Sequence, residues 1–144
     1  MSTLSASTRS RGITTGTALK TGAVAGALAA IVNVAVSAIA RGPFDASDEF
    51  VPLTPGPIVL WTIVGAVIGA LGWRLIVTQK ANSRALLTKL VPTVLVLSFL
   101  PDLALLATDT MPGQSTAGVL ALMVMHLLTA VIAVTAYRKA MPAS

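Results

Sequence analysis

Four apolar runs, each long enough to cross a bilayer when wound as a helix, dominate this chain of 144 residues and constrain its fold more than any other feature. They cover about 19–40, 56–77, 86–106 and 116–137. A hydrocarbon core about 30 Å thick needs roughly 20 residues at the helical rise of about 1.5 Å. In lipid every backbone N–H and C=O must be paired within the protein, which leaves helices as the form for runs of this length. The expected fold is an all-α membrane protein, a four-transmembrane-helix bundle over residues 17–139. Tails are expected at 1–16 and 140–144, the first rich in Ser and Thr and disordered. The connections are too short for a second core, and with 55% hydrophobic and only 10% charged residues the composition departs far from the soluble balance.

The first run carries no charge after Lys20. An Ala38-Ile39-Ala40 pattern at its end resembles a signal-cleavage site, but the run exceeds the roughly 7 to 15 residues of a signal core. The second follows Pro52-Leu53-Thr54-Pro55-Gly56-Pro57, an outer turn in which Thr54 is suited to cap a helix and Pro55, Gly56 and Pro57 to open its first turn. Trp61 and Trp73 then fall near opposite ends of that helix, where interfacial anchors sit. The third run is interrupted by Pro92 and by Pro101-Asp102 and should be kinked toward its outer end. The fourth holds His126 and closes on Tyr137-Arg138-Lys139.

Of ten Lys and Arg, nine lie in the N-terminal segment, around the second connection or at the C-terminal end, and only Arg41 lies on the other side. Asp45, Asp48, Glu49 and Asp109 occupy the first and third connections. The positive-inside rule therefore predicts a plasma-membrane protein with both termini cytoplasmic. The net charge of +5 resides at the ends of apolar runs, where it meets anionic headgroups of the lipid bilayer; nucleic acid is not an expected partner. With no cysteine, disulfides, thiolate metal sites and thiol nucleophiles are excluded.

Helices in lipid associate through small residues and through polar side chains that bond across the interface. Gly22, Gly26, Ala30, Asn33 and Ser37 form such a stripe in the first run, and Thr62, Gly65, Gly69 and Gly72 another in the second. Helix packing is accordingly assigned to Gly22, Gly26, Gly65 and Gly69. The third and fourth runs contribute Ser98 with Asp102, and Gly118, Leu122, His126, Thr129 and Ala133. A polar cluster of Asn33, Ser98, Asp102, His126 and Thr129 is expected on the bundle axis, because ionisable groups inside a bilayer turn toward protein or water. Each also has a plain reading. Asp102 can cap the segment after Pro101, His126 can bond a neighbouring helix as a neutral imidazole, and Asn33 can join helices. A lone histidine supports no metal, and no cofactor is implied.

No HExxH, GxSxG, phosphate loop or paired intramembrane carboxylate occurs, so no catalytic residue is assigned. The segments Pro52-Leu53-Thr54-Pro55-Gly56-Pro57, Leu97-Ser98-Phe99-Leu100-Pro101 and Met125-His126-Leu127 resemble a family of small four-span membrane proteins of high-GC Gram-positive bacteria, classed as a domain of unknown function. The resemblance covers about residues 19–139. It implies four spans and a bacterial plasma membrane but no activity, and it carries over to His126 and the Pro-rich turn better than to Asp102. The sequence points first to a non-catalytic packing or interaction module that pairs with itself or another membrane protein. The alternative is a carrier or binder of a small lipid-like or protonatable molecule in a polar cavity lined by Asn33, Asp102 and His126.

Overall fold

Thr14 supplies the first structural signal: its hydroxyl accepts the backbone N–H of Thr17 and opens helix α1, Thr15–Arg41. The structure, a computed structural model, describes residues 12–144. The part of the expected tail up to residue 11 lies outside the described residues. The remainder is corrected, since α1 starts at Thr15, within the stretch assigned to the tail, and Ile13 packs against the core. A 3-10 turn, Val51–Leu53, leads into α2, Pro55–Gln79. Thr54 occupies the N-cap position, but its hydroxyl donates to the Val51 carbonyl at 2.7 Å instead of capping α2. Then come α3, Ser83–Ser98, α4, Leu100–Ala107, and α5, Thr116–Ala140, whose first turn Ser115 caps.

Counting α3 and α4 as one unit, four helical units are long and apolar enough to cross a membrane. No strand occurs among the described residues. Successive units run antiparallel. One end of the bundle gathers Lys20, Arg74, Lys80, Arg84, Arg138 and Lys139, while the other gathers Asp45, Asp48, Glu49 and Asp109. The expected kink falls at Phe99. Pro92 is accommodated inside α3, whereas Pro101 sits in the first turn of α4, where a missing N–H leaves no helical bond unmade.

The packed centre is a three-helix unit of α1, α2 and α5. Along the α1–α2 seam, a Cβ added at Gly22 would lie 2.7 Å from the Val67 Cα, and one at Gly26 would lie 2.8 Å from the Ile63 Cα. Only glycine admits such an approach. Between these positions Ala18, Ala25, Ala29, Ala66 and Ala70 are buried, so the seam is built almost wholly from one-carbon side chains. At the acidic end Phe50 and Leu53 fold in over Ile58, Val119 and Met125. The closing turn needs Gly113, whose φ of +67° and whose contacts with Ser47, Glu49 and Phe50 leave no room for a Cβ.

At the basic end the stretch expected as a tail, 140–144, packs against the bundle. Met141 is fully buried, its carbonyl accepts Trp73 Nε1 at 2.9 Å, and Ser144 exchanges backbone and side-chain hydrogen bonds with Ser83 and Arg84. Trp73, expected as an interfacial anchor, is therefore 4% exposed, whereas Trp61 at the other end is 69% exposed. In contrast with α1, helix α3 buries only Ser83 and Leu87.

Candidate functional site

Helix α3 touches the bundle at its basic end and then stands away from it, because its inward residues face a glycine surface with no side chains to meet. The space between α2, α3 and α5 is a cavity of about 770 Å³. Its walls include Gly65, Gly69 and Gly72 of α2, Leu90, Val94 and Ser98 of α3, and Met125, Thr129 and Ala133 of α5. It runs from Pro57 and Trp61 at one end of α2 to Trp73 and Ile76 at the other, most of the height of the bundle.

This placement corrects the packing assigned to α2. The face against α1 is Thr62, Ala66, Ala70 and Trp73, all buried; it keeps Thr62 of the expected stripe and otherwise lies one residue past Gly65, Gly69 and Gly72. Gly69 instead meets the Tyr137 hydroxyl of α5, 3.0 Å from where its Cβ would be. A Cβ added at Gly65 or Gly72 would touch nothing within 4 Å, so Gly65 is not a packing contact. Gly56 in the outer turn is equally open, and Pro57 lines the cavity mouth.

Two polar networks border the cavity. Asn33, 2% exposed, donates from Nδ2 to Thr62 Oγ1 at 3.1 Å and to Thr129 Oγ1 at 2.9 Å, tying α1, α2 and α5 at a single point; its Oδ1 is buried without a partner. One turn earlier on α5, His126 Nδ1 lies 2.9 Å from the Leu122 carbonyl and 3.0 Å from Asp102 Oδ2. Only the carbonyl contact has hydrogen-bond geometry. The Asp102 Oδ2 approach lacks that geometry and leaves Oδ2 buried without a hydrogen-bond partner. Asp102 is 3% exposed, so it neither caps α4 nor reaches headgroup water. Phe99 meets the imidazole edge-on, with ring centroids 6.1 Å apart.

The Asp102–His126 contact joins α4 to α5 and fixes the ring, so that Nδ1 is engaged and Nε2 has no protein hydrogen bond among the described residues. A fixed imidazole with one free nitrogen beside an apolar cavity can accept from or donate to a ligand hydroxyl, or hold a proton there. The Ser98 hydroxyl donates to the Leu95 carbonyl of its own helix at 2.6 Å. No group of three His, Asp, Glu or Cys suited to a metal occurs among the described residues.

The five expected polar residues thus divide: Asn33 with Thr129, Asp102 with His126, and Ser98 on the cavity wall with its hydroxyl turned back on its own helix. No hydrogen bond joins the first two pairs among the described residues. The sequence reading missed Tyr137, whose hydroxyl donates to the Ala66 carbonyl and whose ring lies 5.7 Å from Trp73, and it missed Thr62 as a partner of Asn33. A tyrosine beside a basic helix end reads as an interfacial residue; its one distinguishing signal was spacing, since Tyr137 continues the His126, Thr129, Ala133 face by four residues.

Residues 13–143 match the Family of unknown function (DUF6069). No curated protein and no solved structure matches the chain.

Proposed function

Because the chain belongs to the Family of unknown function (DUF6069), its role is argued from its own groove, and we propose that it is a non-catalytic, multi-pass protein of the bacterial plasma membrane that binds a small lipid-like molecule between α2, α3 and α5. The observation that carries this reading is the cavity of about 770 Å³ that α3 leaves against the glycine face of α2. Small-molecule sites are typically concavities of about 300–1,000 Å³, mostly apolar, with a few placed polar groups. Here the walls are apolar, and Asn33, Thr129 and His126 border the cavity partway along it. Both termini lie in the cytoplasm, a reading supported by the nine basic residues on that side.

Lipid extraction and mass spectrometry of the detergent-purified protein test the binding. Wild-type protein should retain about one amphiphile per chain, and Gly65→Leu combined with Gly72→Leu, which fills open space without touching the packed seam, should retain much less. Equal retention would remove the groove as the site. The orientation is tested in this cysteine-free chain with single cysteines at Thr110 and Asn82. An impermeant thiol reagent outside intact cells should label the first only, and labelling of Asn82 without lysis would sink the topology.

One observation favours a second reading, an interaction module whose groove admits a helix of another copy or another protein: Gly65 and Gly72 present bare backbone of the kind that transmembrane helices approach. The same double variant separates the two. Loss of a cross-linked dimer with amphiphile retention unchanged supports the module.

A further inference from the structure

At the basic end a second, smaller cavity of about 350 Å³ lies between the start of α3 and the end of α5. Arg84 and Arg138 border it, Thr88, Pro142 and Ala143 complete its wall, and Trp73 and Leu87 belong both to it and to the groove. The two spaces therefore meet at one tryptophan and one leucine. Their chemistries are opposite, the groove apolar and the smaller cavity carrying two guanidinium groups.

Neither guanidinium group forms an ion pair among the described residues. All five acidic residues of the chain are Asp45, Asp48, Glu49, Asp102 and Asp109, on the acidic connections or the acidic side of the bundle. Arg41 pairs with Asp48 and Asp102 lies against His126, so neither Arg84 nor Arg138 has an acidic side-chain partner among the described residues. The Arg84 guanidinium reaches only the Ala143 carbonyl, at a long 3.5 Å, while its backbone N–H donates to Ser144. Trp73 is held in place by the Met141 carbonyl, which fixes the wall between the two spaces.

Resting on the reading that the groove takes an apolar chain, we propose that this basic cavity holds the phosphate of an anionic phospholipid, with Arg84 and Arg138 on the headgroup and an acyl chain passing Trp73 and Leu87 into the groove. Charge complementarity selects the headgroup: guanidinium forks pair with phosphate oxygens in bidentate fashion, and basic pockets between helices near the cytoplasmic surface recognise anionic lipid. Dimensions fit as well. From Trp73 to Thr62 is eleven residues of α2, about 17 Å at the helical rise, close to the roughly 15 Å depth of one leaflet. A chain anchored at Arg84 and Arg138 ends beside Thr62, Thr129 and His126.

The test uses full-length protein carrying Trp61→Phe, so that Trp73 is the sole fluorophore, reconstituted in phosphatidylcholine vesicles. Brominated-chain phosphatidylglycerol or brominated-chain phosphatidylcholine is titrated in as quencher. Phosphatidylglycerol should quench Trp73 with a roughly tenfold preference over phosphatidylcholine. Arg84→Gln with Arg138→Gln should bring that ratio close to one, while Lys80→Gln, also exposed at the basic end, should leave it high. Equal quenching by both lipids in the unaltered background would overturn the headgroup site and leave the groove reading intact, whereas no quenching by either would overturn both. Inorganic phosphate alone should not change the ratio; a collapse on adding it would reassign the arginines to a free anion and overturn the lipid assignment.

Discussion

The two faces of α2 are made from nearly the same small residues and behave in opposite ways. Toward α1, Ala66 and Ala70 meet Gly22 and Gly26 with backbones almost touching. Toward α3, about 100° around the helix, Gly65 and Gly72 meet nothing. Smallness permits close approach without causing it. What draws α1 in is a partner that is small at matching positions and carries Asn33 to bond Thr62 and Thr129. Helix α3 offers Leu90, Val94 and Leu95 to a bare surface, and lipid tails would solvate those side chains as well as the glycines do.

Placing the same side chain on both faces tests this difference most directly. Gly26→Leu, forced against the Ile63 backbone, should cost about 3 kcal/mol or more and give the largest drop in melting temperature in detergent. Gly69→Leu should rank next, at roughly 1–2 kcal/mol, because it displaces a tyrosine hydroxyl and not a backbone. Asn33→Leu should follow at about 1 kcal/mol, removing two interhelical hydrogen bonds that in membranes average near 0.6 kcal/mol each. Gly65→Leu, entering open space, should stay within about 0.5 kcal/mol while still obstructing the groove. A melting series in any other order, above all Gly65→Leu as damaging as Gly26→Leu, would show that the two faces are packed alike.

The four apolar units were legible in the sequence because length and hydropathy alone specify them. So was the α1 stripe, where Gly22, Gly26, Asn33 and Ser37 all fall on the buried face. The working face of α2 was not, for a physical reason: Gly65-x-x-x-Gly69 and Ala66-x-x-x-Ala70 have the same period one residue apart, and periodicity does not choose between two stripes of small residues. The packing of Met141 to Ser144 was also hidden. Short terminal residues of mixed polarity carry no pattern, and their anchor, Ser83, lies 61 positions from Ser144. Asp102 beside His126 was anticipated as a pairing of residue types, but the break at Phe99 that lets Asp102 turn onto α5 is a matter of local backbone geometry.

The hydroxyls of α3 point to a consequence for movement. Thr88 donates to the Arg84 carbonyl and Thr93 to the Lys89 carbonyl, while Ser98 closes on Leu95, so these side chains find their partners within their own helix. Sliding or tilting α3 away from α2 therefore uncouples none of these bonds. The work of opening the middle of α3 is limited to dispersion contact, while the hydrogen bonds of Ser83 and Arg84 to Ser144 hold its basic end. Helix α4 behaves otherwise, because Asp102 lies 3.0 Å from His126 of α5, a contact that displacement would break. The third unit thus has one arm that is compliant beyond its first turn and one arm held against α5 by Asp102, the two meeting at Phe99.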